Sequence, residues 1–258
     1  MHPDVLAGPR LKTEWAEAHI AELHDFLRSL PWNDFCRLSV EEDLEKRRDR
    51  IVLKIIRPIP PEVSLWIGDA IHNLRSALDH LVVGLVASVT GKVSETIYFP
   101  FGTDRQNIIG SGRAKIIQEK LPDVFDLILD TIKPYDPNNG GNKFLWGLNQ
   151  LDRADKHRLI IPAVSIVSVS GINAVTDEGG RIVQLTLGVC EGEVLSPFGV
   201  DNKIHIKGYD NPRFAVVFGQ ADAFQGQSVV PTLIDLLKAT TDVIEALEAH
   251  LFGQDANR

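Results

Sequence analysis

The chain has 258 residues, of which 44% are hydrophobic and 24% charged, an ordinary globular balance with enough apolar material to bury a core in one large domain or two small ones. Its net charge of −8 argues against a protein that binds long nucleic acid over its whole surface, and leaves room only for RNA contact through a local patch. Two distant cysteines, Cys36 and Cys190, read as small core residues of a reducing compartment. The N-terminus lacks a basic region followed by an apolar run, and Leu81–Val89 is too short to span a bilayer. A cytoplasmic protein with no membrane partner is expected.

Arg10–Leu30 reads as a helix, with Leu11, Trp15, Ile20, Leu23, Leu27 and Leu30 as its stripe and Pro31 as its stop. Cys36, Leu38 and Val40 alternate with polar residues as in a strand, and Ile51–Ile56 is β-branched and suits a paired second strand. The charged run Glu41–Arg50 between them reads as a solvated connection. A long helix follows. Pro61 and Glu62 suit its first turn and Gly91 its C-terminal stop. Thr96–Gly102 is extended, Arg105–Lys120 and Pro122–Ile132 are helical, and Pro134–Asn142 is a turn-rich linker. Lys143–Asp155 is a further helix.

The character then changes. Leu159–Val169, Gly171–Val175, Arg181–Val189, Lys203–Lys207 and Phe214–Phe218 read as β segments, with a turn at Asp177–Gly180. Ser228–Phe252 closes the chain as an amphipathic helix ended by Gly253. The fold class expected is α+β: a helical bundle with a long central helix, then an antiparallel β-sheet and a closing C-terminal helix. Residues 1–158 form the mainly helical part and residues 159–258 the β-rich part, either as two units or as one integrated domain.

The long helix carries the candidate site. With His72 at zero and about 100° per residue, Asp69 falls near 60°, Asn73 near 100°, Ser76 near 40°, Asp79 near −20° and His80 near 80°, with Arg75 on the flank at about −60°. Ile67, Leu74, Leu78, Leu81 and Leu85 take the opposite side. No Lys or Glu lies between Gly68 and Val89, so the polar face is built from groups that make directional hydrogen bonds. These groups either satisfy one another in a semi-buried packing, with Arg75 paired to Asp79 at i,i+4, or they line a cleft or subunit interface. Gly68 and Gly84 inside the helix fit close approach of a second helix, from this subunit or another.

A metal-binding bundle is a third possibility. Asp69 and His72 share a face, and Asp152, Asp155 and His157 could supply an opposing set. His72 and His80 lie about 12 Å apart along the helix, too far to share one ion. Asp155-Lys156-His157-Arg158 ends the later helix; its basic groups suit the helix dipole, or His157 or Arg158 reaches Asp79 or Asp69. No Walker loop, GxGxxG or GxSxG motif is present, and no cofactor is expected.

The motifs GDAIHNLRSALDHLV (Gly68–Val82) and NQLDRADKHRLI (Asn149–Ile160) resemble those of a widespread group of uncharacterised bacterial proteins. The resemblance covers Trp15–Ile161. Arg75-Ser-Ala-Leu-Asp-His80 also resembles the Arg–spacer–His motif of HEPN domains, which are helical bundles. That resemblance implies a HEPN-like bundle and a metal-independent endoribonuclease of toxin or defence type. His80 would be the acid/base acting on a ribose 2′-OH, and Arg75 the clamp on the phosphate. Arg75 and His80 are about 140° apart, so a homodimer or a second helix must complete such a site.

Overall fold

The computed structural model describes residues 3–43, 48–93, 96–112, 114–157, 160–176, 181–182, 204–220 and 223–252. A 3₁₀ turn, Pro3–Leu6, leads into helix α1, Ala7–Ser29. Its buried face is Pro9, Thr13, Ala16, Ile20, Leu23 and Leu27, while Leu11 and Trp15 of the expected stripe are exposed. In the first turns the inward positions are held by small side chains, which let the long central helix lie close, and the larger Leu11 and Trp15 are turned outward.

A single turn, α2 (Trp32–Phe35), opens an antiparallel hairpin of β1 (Cys36–Asp43) and β2 (Arg48–Ile55). The charged run is therefore only partly a connection. Its flanks extend both strands: the ladder runs out to Asp43 opposite Arg48, and Glu41 is held by Lys54 Nζ at 2.9 Å.

The central helix α3 runs Glu62–Thr90, about 43 Å at 1.5 Å per residue. Pro61 stands at the N-cap position, just before the first turn and with no side-chain hydrogen bond to it, and Gly91 ends the helix at φ 69° with its N–H on the Ala87 carbonyl, a left-handed conformation suited to glycine. The helix expected over Arg105–Lys120 is interrupted. It forms α4 (Arg105–Ile109) and α5 (Lys115–Lys120), with Gly110 and Gly112 between them. Then come α6 (Pro122–Leu127), a π-helical turn at Ile128–Ile132 and a 3₁₀ turn at Pro137–Asn139. Helix α7 occupies Lys143–Asp155, with Asn142 accepting hydrogen bonds from the Phe144 and Leu145 N–H groups.

Among the described residues the β-rich part holds two long strands and one short one, and each long strand joins segments that the sequence pattern separates. β3 (Ile161–Thr176) pairs antiparallel with β5 (Ile204–Gln220), through several register shifts, and with the short β4 (Arg181–Ile182) on its other side, giving the order β4-β3-β5. The shifts take up the interruptions that divide the sequence pattern. Leu159, the expected turn at 177–180, all of the expected segment Arg181–Val189 beyond Ile182, Cys190, Lys203 and Gly253 lie outside the described residues.

The closing helix α8 (Val229–Phe252) returns to the helical part and packs on α1, α3 and α7. One core results. Ile67, Leu74, Leu78, Leu81 and Leu85 of α3 meet Leu23 of α1, Leu148 of α7 and Leu233, Leu236 and Leu247 of α8, all fully buried. The architecture is α+β, mostly helical with small antiparallel sheets. Among the described residues no helix is long and apolar enough to cross a membrane.

Candidate functional site

Helices α1, α7 and α8 pack against α3, and only part of its polar face meets water. At the N-terminal end, Gly68 lies under the side chain of Asp155 from α7. A Cβ at Gly68 would stand 2.7 Å from Asp155 Oδ2 and 2.8 Å from Oδ1. Gly84 is approached by Val5, whose Cγ1 would lie 3.1 Å from an added Cβ. Both glycines admit groups of this same chain. The Asp155 carboxyl is pushed above its ordinary range by burial first, with the neighbouring Asp152 and Asp69 charges adding to the shift. His72 and the Ile160 N–H act in the opposite direction.

One turn further, His72 Nδ1 meets Asp152 Oδ1 at 3.1 Å, and the other oxygen of Asp152 accepts from Lys156 Nζ at 2.6 Å. The Asp152 side chain is 3% exposed while that of His72 is 54% exposed. A buried carboxylate thus holds a solvent-facing imidazole. Ser76 Oγ is 3.4 Å from His72 Nε2, which completes the order hydroxyl, imidazole, carboxylate. This is the order of a proton relay, at a long hydroxyl–imidazole separation. Ser76 sits mid-helix, where backbone N–H groups are committed to the helix, so the helix backbone beside it supplies no oxyanion donors.

Asn73 and Arg75 are buried, although helical angles alone place Asn73 on the wet face and Arg75 beside it. Asn73 Oδ1 accepts from Lys12 Nζ of α1 at 2.9 Å, and its Nδ2 donates to the Asp69 carbonyl at 2.8 Å. Arg75 makes a short ion pair with Asp79, as the i,i+4 spacing suggests, and its Nε donates to Asn149 Oδ1 at 3.4 Å. Its guanidinium carbon lies 4.5 Å from the centroid of the Phe101 ring. Asp79 also accepts from the Phe99 N–H at 2.7 Å, so the pair pins the extended segment after α3 against the helix.

His80 is exposed and sits beside the start of α1; a Cβ at Gly8 would come 3.3 Å from its Nδ1. Asp69 is exposed. The structure therefore groups Asp69, His72, Ser76 and Asp155 at one end of the face and Arg75 with Asp79 further along, and gives Arg75 and His80 separate surroundings. Of the later motif, Asp155 reaches α3, His157 is exposed, and Arg158 lies outside the described residues. Asp79 takes its expected i,i+4 partner, Arg75, together with the Phe99 N–H.

Asp152 is the residue that sequence reasoning undervalued, having weighed it only as a metal ligand. The signal was present: it follows Leu148 at i,i+4 on the inward side of α7, where a carboxylate requires a partner. Lys12, Asn149 and Phe101 carried no such signal. Among the described residues no group of three or more His, Cys, Asp or Glu is placed to hold a metal ion. Comparison with protein-family models, with curated proteins and with solved structures finds no match.

Proposed function

We propose that the protein is a non-catalytic binding or scaffold protein in which the buried members of the α3 polar face are structural and the exposed members, Asp69, His72 and His80 with half-buried Ser76, form a contact surface. One observation carries this reading. Arg75 is 8% exposed, its charge is neutralised by Asp79, and an aromatic ring covers its guanidinium. A phosphate clamp needs a guanidinium free to bind an anion.

The HEPN-like ribonuclease reading asks Arg75 to exchange Asp79 for substrate and to meet His80 of another copy. The two readings separate in one experiment. Purified protein is incubated with mixed RNA in a chelator, beside Arg75→Ala and His80→Ala. No cleavage by any of the three is expected. Metal-independent cleavage by the wild type that disappears in the exposed-site variant His80→Ala, with its melting temperature unchanged, overturns the binding reading.

A further inference from the structure

A second surface lies away from the polar face of α3. Helices α1 and α8 and strand β5 border an open trough of about 820 Å³. That volume falls within the range of small-molecule sites, about 300–1,000 Å³. Its walls are aliphatic: Ile20 and Leu27 from α1, Val216 from β5, and Val230 and Ile234 from α8. Trp32 and Phe214 form an aromatic pair at one end, with ring centroids 6.0 Å apart. Ile234, an apolar side chain of α8 that lines the trough, is 51% exposed.

The charges along the trough are ordered. His24 and Arg28 stand at the α2 end, and among the described residues neither has a hydrogen-bond or ion-pair partner. Glu17 stands at the other end, about 16 Å from Arg28 along α1 at 1.5 Å per residue. An apolar channel with an unneutralised cation at one end and a carboxylate at the other fits a ligand with one anionic head and one apolar tail, bound in one direction. A ligand with an anion at each end would meet Glu17.

We propose that this trough binds a single-chain carboxylate, an amphiphile of the fatty-acid type, with its head at Arg28 and His24 and its chain over Ile20, Val230 and Ile234. Arg28 supplies charge-assisted hydrogen bonds to the carboxylate, His24 a further donor, and the aliphatic walls take the chain out of water. The proposal is independent of the reading given to α3.

The test uses the full chain and a bromine-terminated dodecanoate below its micelle concentration. Bromine quenches indole fluorescence on contact, and Trp32 lines the site. The expected result is saturable quenching, absent in Trp32→Phe and reversed by unlabelled dodecanoate. Arg28→Ala weakens dodecanoate binding, followed by calorimetry, by about tenfold while leaving dodecanol unchanged, since only the carboxylate uses the guanidinium. Ile234→Glu, an exposed position, melts with the wild type and weakens both ligands by more than about tenfold. Absence of saturable quenching overturns the proposal, as does unaltered binding by Ile234→Glu. So does a concentration-dependent dimer that Ile234→Glu dissolves, which assigns the trough to a second copy of the chain.

Discussion

Replacing Arg75 by Met tests whether the polar face of α3 is a structural lock. The Arg75 side chain is 10% exposed and that of Asp79 24%, so the substitution strands a largely desolvated carboxylate. Removing one partner of a buried pair costs about 3–5 kcal/mol. Asp79 keeps the hydrogen bond from the Phe99 N–H and some access to water, which lowers the expectation to about 2–3 kcal/mol. For a chain of this size that corresponds to a fall in Tm of about 5–10 °C. Asp79→Asn in the same chain removes the stranded charge while still accepting from Phe99, so the double variant recovers about 1–2 kcal/mol of the loss. Urea denaturation of the wild type, both single variants and the double variant gives the coupling directly. If Arg75→Met stays within about 0.5 kcal/mol of the wild type, or the four stabilities are additive, the pair is not the lock described here.

The remaining predictions concern the same seam and the hairpin. Gly68→Ala places a methyl against the Asp155 carboxylate and is expected to cost about 1–3 kcal/mol in urea denaturation, with much of the loss recovered in Gly68→Ala/Asp155→Ala. The folded-state pKa of Asp155 is raised, so ionising it opposes folding. Its favourable contribution is complete below the unfolded pKa and lost as pH rises through the folded value. Asp155→Asn is therefore expected to melt above the wild type at pH 7, with the difference shrinking as pH falls toward 4; a constant difference would contradict the assignment. Cys36 is fully buried and its thiol is pushed up to about 11 by burial, so a thiol reagent at pH 8 is expected to modify it at the rate of unfolding; immediate labelling in native protein, localised by peptide mapping, contradicts this.

Sequence alone located the elements whose signals are local. Pro61, Glu62 and Gly91 bound α3 because helix ends are decided by backbone chemistry within a turn or two, and the turn-rich linker that ends at Asn142 likewise placed the start of α7 at Lys143. The Arg75–Asp79 pair was legible for the same reason, since i,i+4 neighbours meet on any α-helix. Sequence also marked Gly68 and Gly84 as places where a second helix comes close; α7 does so at Gly68 through Asp155, whereas at Gly84 the group that approaches is Val5 of the short 3₁₀ turn.

Tertiary structure decided the rest. Helical angles assign each residue a direction but do not say which element covers it. Asn73 is buried because α1 brings Lys12 to it, and Arg75 because Phe101 and Asn149 close over it. His72 finds Asp152 across 80 positions of chain, a pairing fixed only when α7 docks on α3. The merging of short β segments into β3 and β5 has the same origin, since each strand is completed by hydrogen bonds to a partner distant in sequence. The long helix remains the place where the polar chemistry is concentrated. Its buried half is held in place by its own neighbours, and His72, His80, Asp69 and part of Ser76 are offered to solvent.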